Sequence, residues 1–298
     1  MLAAGAVNDT GSGVPRPVLP DWRPPKIGRL RRLTAGLRLL PDFMIIGTQR
    51  GGTTSLYRYL CTHPAIATAH RKEVHYFDHS YAAGLAHYRA FFPLAAQRAW
   101  TQQVLRRPYL TGEASPYYLY HPLVPGRVHQ LTPEARFIAL LRNPVDRALS
   151  HYQMICRRGW EELSFEDALD REEERLYQDT AGVPEAERYS DARHRFYSYA
   201  ARGRYAEQLE RWLAVFPRKQ LLVMSSEQFY ANPPAAVNRV LEFLGLPTAP
   251  TTCEKQYNKA EYSKMPPETR RRLTEYFAPH NERLFSLLGE RFDWDESR

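Results

Sequence analysis

The chain has 298 residues, 43% of them apolar and 25% charged, with a formal net charge of +8. That composition excludes a disordered or fibrous protein and leaves room for one sizeable globular core. Seven Lys/Arg against two Asp in residues 1–40 account for +5 of the charge, which leaves about +3 on the body; a surplus that small suits one compact anion in a pocket better than a nucleic-acid backbone, which calls for a basic stripe.

Residues 1–40 read as a flexible, basic, Pro-rich arm and residues 41–298 as one domain. In the arm Pro15, Pro17, Pro20, Pro24 and Pro25 precede Arg29, Arg31 and Arg32, a composition expected of a solvated tail. No run of 18 apolar residues occurs, and the first 40 residues lack the apolar core of a secretory signal, so a cytoplasmic protein without stable membrane insertion is expected. Cys61, Cys156 and Cys253 are odd in number and lack zinc-site spacing, and we read them as unpaired thiols with no metal.

The first clear element is the apolar run Phe43–Gly47, a strand that breaks into a Gly-rich loop and then a helix around Ser55–Leu60. Leu110–Glu113 offers a further strand. Arg136–Arg142 repeats the strand-to-helix pattern, with Asn143 as helix cap and Pro144 in the first helical position. The segment 157–195, rich in Arg and Glu, reads as an exposed helical excursion that is either solvated or a cover over substrate. Helical periodicity returns at Tyr205–Phe216, Ala235–Leu244 and Glu268–Leu288, with a strand at Gln220–Met224 between the first two. Alternating strands and helices predict a single α/β, P-loop-like domain: a central parallel sheet flanked by helices on both faces, with ligands at the carboxyl ends of its strands.

The loop Gly47-Thr48-Gln49-Arg50-Gly51-Gly52-Thr53-Thr54-Ser55 has the parts of a phosphate site. Gly51 and Gly52 let backbone N–H groups approach, the helix end favours an anion, Arg50 supplies a charged fork, and Thr53, Thr54 and Ser55 supply hydroxyls. A nucleotide kinase would have Lys where this chain has Thr53, and needs an acidic strand end for magnesium. The loop therefore suits a phosphate ester without metal, with an ordinary tight turn as the alternative. A P-loop nucleotide kinase and a non-enzymatic polyanion binder remain the competing functions.

The stretch PDFMIIGTQRGGTTSLYRYLCTHP resembles the 5'-phosphosulfate loop of sulfotransferases that use 3'-phosphoadenosine 5'-phosphosulfate (PAPS), in the branch of the heparan sulfate enzymes and their bacterial relatives. RFIALLRNPVDRALSHY resembles that family's 3'-phosphate motif, and RKEVHYFD its acceptor-side segment; two more stretches, from Arg202 to Met224 and from Thr274 to Trp294, follow in the family's order. The resemblance implies PAPS as donor, adenosine 3',5'-bisphosphate as product, and no metal. It implies Arg50 at the departing phosphate, Arg142 and Ser150 at the 3'-phosphate, and Glu73 as general base, with His75 and Asp78 orienting the base or the acceptor. Lys259 is our choice, over Lys255 and Lys264, to close over the 3'-phosphate. Lys72, Tyr117, Arg202 and Tyr205 are candidate contacts to an acceptor, a small molecule or by family analogy a carbohydrate. Two departures weaken the claim of a highly sulfated polysaccharide acceptor. Ala114 stands where that branch has Lys, and Cys253 has no partner for the branch's disulfide.

Overall fold

The computed structural model describes residues 19, 24–177, 192–248 and 264–294. Five parallel strands, β1 (Phe43–Gly47), β2 (Ile66–Thr68), β3 (Leu110–Ala114), β4 (Arg136–Leu141) and β5 (Leu221–Ser225), form one sheet in the order β2-β3-β1-β4-β5. Strand alternation splits the core in two. Met44 and Ile46 pack with Phe137, Ala139, Leu141 and Trp212 on one face, while Phe43 and Ile45 pack with Ile138, Leu140, Leu56 and Leu241 on the other. A sheet covered on both faces is the single α/β domain that the strand-helix alternation predicts. Of its strands, β2 escaped the sequence reading, because three residues with one buried side chain give no period to detect.

Two strand-to-helix turns decide where a ligand can sit. Helix α2 (Thr53–Leu60) follows β1, and α7 (Pro144–Cys156) follows β4, started by Pro144 and capped by Asn143, whose side chain accepts from Val145 N–H at 2.9 Å. Because β1 lies between β3 and β4, the chain leaves its carboxyl end toward opposite sides, and a crevice opens there. Short helices α3 (Tyr76–His79), α4 (Leu85–Arg89), α5 (Ala95–Gln103) and α6 (Val124–Leu131) fill the connections before β4. After α7 come α8 (Phe165–Asp170), α9 (Glu172–Tyr177), α10 (Ala192–Phe196) and α11 (Tyr205–Leu213); α12 (Ser226–Ala231), α13 (Pro233–Phe243) and α14 (Pro267–Leu288) close the fold.

The structure corrects two expectations. The last part of the arm is held against the domain: α1 (Arg29–Leu33) is followed by Arg38, which is buried and donates to the Phe92 carbonyl at 2.8 Å, while Arg31 Nε donates to the Ala90 carbonyl at 2.6 Å. Guanidinium groups that satisfy buried carbonyls are fixtures of a fold. The excursion, too, is no simple solvated helix. Glu161 is buried, accepts from Arg175 at 2.8 Å and from Tyr199 Oη at 2.7 Å, and Glu172 is buried beneath the backbone N–H groups of Ala200 and Ala201.

Close sheet packing makes one glycine irreplaceable and leaves another dispensable. A Cβ at Gly112 of β3 would lie 2.5 Å from the Phe43 ring, whereas one at Gly126 of α6 would meet nothing within 4 Å. Gly112→Ala should lower the unfolding free energy by about 1–3 kcal/mol through overpacking. Gly126→Ala should raise it by about 0.4–1 kcal/mol. Urea titrations of both variants measure the difference, and equal effects would contradict this account of the sheet.

Candidate active site

The loop after β1 is shaped by steric need. A Cβ on Gly51 would sit 2.4 Å from the Leu140 carbonyl, and Gly52, with φ of 97°, lies where a Cβ would come 2.7 Å from Tyr230 Oη. Gly52 is the N-cap of α2, and no side chain caps the helix, so its first N–H groups face the cradle that the two glycines leave. Ser226 Oγ donates to the Gly51 carbonyl at 2.8 Å and holds the loop from below. Among the hydroxyl residues expected to serve here, Thr53 and Ser55 are buried, and Thr54 is partly exposed. The cradle suits a phosphate group without a side chain beyond those of the loop.

Arg50 joins this loop to the next. Its Nε donates to Ser150 Oγ at 2.8 Å, 100 residues away on α7, and Arg142 Nη1 donates to the Arg50 carbonyl at 3.3 Å. The carboxyl ends of β1 and β4 therefore open onto one continuous basic site. Arg142 is positioned from behind: Tyr205 Oη donates to its carbonyl at 2.8 Å, and Glu227 accepts both the Asn143 N–H and the Trp294 indole N–H, each at 2.9 Å. Asp146, the carboxylate that could have neutralised Arg142, pairs instead with Arg270 at 2.7 Å.

The third side of the crevice is the segment Lys72–Asp78, held on β3 by a buried carboxylate. Glu113 accepts from Tyr88 Oη at 2.6 Å, Ser115 Oγ at 2.7 Å and Tyr118 Oη at 3.2 Å. Ser115 Oγ then receives the His75 N–H, Tyr118 Oη the Tyr76 N–H, and the Ala114 carbonyl the Glu73 N–H at 3.0 Å. Burial raises the Glu113 pKa, and the hydroxyl donors only partly offset this. Four non-glycine residues among those described have positive φ, and three are Arg50, Glu73 and His75. Left-handed backbone at such residues is costly and persists where the surroundings impose it, which is commonest at functional sites.

On that segment the side chains form a relay. Lys72 Nζ lies 2.6 Å from Glu73 Oε1, His75 Nε2 is 3.7 Å from Glu73 Oε2, and His75 Nδ1 is 2.6 Å from Asp78 Oδ2. Glu73 retains 43% side-chain exposure; partial burial raises its pKa, but the nearby His75 ring and the Lys72 charge outweigh it and hold the carboxyl well below the usual range. Burial lowers the His75 pKa, and the attraction and hydrogen bond of Asp78 more than reverse that. His79 has a ring pushed down to about 3, chiefly by burial. Ligand-type atoms of His75, Asp78 and His79 fall within 4.8 Å of one another, and the short His75–Asp78 bond makes this a proton-sharing contact.

Three sequence candidates change role. Tyr205 is buried against Trp294 at a ring distance of 5.9 Å and serves Arg142, so it is no acceptor contact. Arg202 is 1% exposed, donates to Gln49 Oε1 and lies 4.6 Å from the Tyr117 ring centroid. Tyr117 is buried as well, with its hydroxyl 2.6 Å from His194 Nδ1. Together they are a wall behind the loop rather than a surface for acceptor. Lys72 belongs to the Glu73 ion pair. Lys259 lies outside the described residues with Lys255 and Cys253, while Lys264 is exposed. The sequence reading missed Glu113, although its place at the end of a strand beside β1 was a signal. It also missed Arg158 and Arg195, whose charges act on Glu73 and which sit in the excursion with no motif to mark them.

A family model described as the sulfotransferase domain matches residues 40–297. The chain is similar to heparan sulfate glucosamine 3-O-sulfotransferase 6 of Homo sapiens, with 29% identity covering 87% of this chain and 75% of that protein. It is 30% identical to the 3A1 enzyme of the same organism, covering 88% of this chain and 64% of that one. The crystal structure of a sulfotransferase from Alicyclobacillus acidocaldarius superposes with a TM-score of 0.68 at 31% identity, covering 86% of this chain and 99% of that one.

Asp78 gives the relay a testable sign. His75 titrates above its ordinary 6.5 because of Asp78, so the pair's stabilisation is complete below that value and is lost as pH rises through the raised one. In Asp78→Asn the two contributions of Asp78 vanish while burial and the smaller contribution of Glu73 remain, and the ring should titrate lower than in the wild type. Imidazole NMR across the pH range measures this. An unshifted ring would remove Asp78 from the relay.

Proposed function

We propose a donor, a base and an acceptor class for this chain, which belongs to the sulfotransferase family. The chain is a sulfotransferase; the donor in our reading is PAPS. The 5'-phosphosulfate would rest on the Gly51–Gly52 cradle and the amino end of α2, and the 3'-phosphate on Arg142 and Ser150. The observation that supports this reading is the contact of Arg50 with Ser150 at 2.8 Å, because it joins the loops we assign to the two phosphates of one nucleotide.

In the reaction we assign, the sulfur–oxygen bond to the 5'-phosphate breaks as the acceptor oxygen or nitrogen bonds to sulfur. The departing phosphate oxygen gains negative charge and meets Arg50, a group that stabilises charge but cannot donate its proton at neutral pH. Glu73 receives the acceptor's proton. A carboxylate held below the usual range is fully ionised at neutral pH, so it is available as acceptor at every turnover. His75, fixed by Asp78, orients it, and Lys72 balances its charge until acceptor enters. The products are adenosine 3',5'-bisphosphate and a sulfated acceptor.

The acceptor we propose is a carbohydrate, supported by the likeness to proteins named as heparan sulfate glucosamine 3-O-sulfotransferases. Ala114 sits buried at the end of β3 and adds no charge there, while Arg158 and Arg195 bring positive charge toward Glu73 from the excursion. Such a rim suits an acceptor with an acidic group near the reacting hydroxyl.

Two measurements test the reading. Adenosine 3',5'-bisphosphate should bind saturably in metal-free calorimetry, and Arg142→Ala should weaken it by about 10- to 100-fold, the loss of a charged phosphate contact. Absence of binding, or binding only with magnesium, would sink the donor assignment. Glu73→Gln should keep nucleotide affinity while kcat falls by about two to four orders of magnitude; unchanged turnover would remove Glu73 as base.

A further inference from the structure

Seven of the eight large hydrophobic side chains exposed among the described residues lie in two segments, 24–41 and 79–112. Leu30 and Leu33 on α1, and Leu37 in the short 3-10 turn that follows it, are 72%, 74% and 67% exposed. Trp100, Val104 and Leu105 are 61%, 53% and 48% exposed at the carboxyl end of α5. Single exposed leucines need no explanation; a cluster with a tryptophan does.

The same two segments hold nine Lys/Arg and no Asp or Glu. They lie side by side: Leu39 N–H donates to the Pro93 carbonyl at 3.0 Å, Arg38 bridges to Leu94, and Arg89 reaches the Gly36 carbonyl at 3.5 Å. Arg31 and Arg38 are spent on anchoring, as described above, and their fixed geometry turns the leucines outward. Lys26, Arg29, Arg32, Arg106 and Arg107 remain exposed among the apolar side chains.

We infer that this face docks on the surface of an anionic lipid bilayer, with the leucines and Trp100 entering the headgroup boundary and the exposed cations meeting lipid phosphate and carboxylate groups. Two chemistries must be matched together, and a bilayer surface matches both. A sulfated polysaccharide would engage the cations and leave Leu30, Leu33, Leu37 and Trp100 in water. A second copy of the chain would bury the leucines but bring the five exposed cations against the same five. Contact of this kind is peripheral: no helix among the described residues is long and apolar enough to cross a membrane.

The test is co-sedimentation of the full chain with vesicles of phosphatidylcholine alone or with phosphatidylserine. Binding should require the anionic lipid and weaken with salt. Arg29→Glu with Arg32→Glu should weaken it by at least about 30-fold. Leu30→Ser, Leu33→Ser and Leu37→Ser together should weaken it by at least about tenfold, with an unchanged circular dichroism melt and unchanged nucleotide binding showing that the fold persists. Three results overturn the inference. One is no vesicle binding by the wild-type chain. Another is binding that ignores the leucines and follows only the cations, with equal retention on an immobilised sulfated polysaccharide. The third is self-association in sedimentation velocity that the leucine substitutions abolish while vesicles fail to bind.

Discussion

The site depends on Arg50 spanning the gap between two strand ends. Its backbone has φ of 71°, a left-handed conformation, and its Nε meets Ser150 on the helix that follows β4. Neither feature is local in origin. The loop can close because Gly51 and Gly52, which follow Arg50, have no Cβ to collide with the Leu140 carbonyl or Tyr230, and the reach is possible because β1 and β4 are neighbours in the sheet. Exchange the order of those strands and the two basic loops become separate features. Sheet topology thus matters chemically, since it brings two helix N-termini and their basic loops into contact.

The second constraint is the buried carboxylate of Glu113. A fully buried acid without partners would be expensive, and this one accepts three hydroxyl groups. Two of those hydroxyls are themselves acceptors for the backbone of His75 and Tyr76, so the positive-φ segment inherits its shape from the core. In the proposed reaction Glu73 would then need no strong basicity of its own. When bond breaking leads bond making, the acceptor proton becomes acidic late, and a base in a fixed place is worth more than one with a high pKa.

Much of the fold was legible because its strands are buried on both faces and read as unbroken apolar runs; Phe43–Gly47, Arg136–Leu141 and Leu221–Ser225 emerged from that signal. Asn143 and Pro144 marked the start of α7 correctly for the same local reason, a cap and a fixed φ. What escaped was long-range. Tyr117, Arg202 and Tyr205 carry side chains suited to sugar binding, yet the structure buries all three, because a residue type says what a group can do and burial says whether it can be reached. The Arg50–Ser150 contact joins residues 100 positions apart, and no spacing rule could have revealed it.

Charge was the most misleading quantity in the sequence, and the reason is geometric. Summed over the body it is small, which argued for a single compact anion and against any extended polyanionic partner. A sum, however, discards position. The carboxylates of Glu161, Glu172, Glu113 and Asp78 are buried and engaged inside the domain, where they offset nothing at the surface beside α1 and α5. The exposed cations beside α1 and α5 therefore lie apart from those carboxylates, and among the described residues only Arg98 there is paired, with Asp42. Two of the arm's arginines are meanwhile withdrawn into the fold as anchors. Their withdrawal orders Leu30 and Leu33 on α1 and Leu37 in the turn after it. A segment that composition describes as a solvated basic tail becomes, once Arg31 and Arg38 find their carbonyls, a rigid platform with its apolar side toward solvent, and rigidity is what allows such a platform to bind without paying to order itself first.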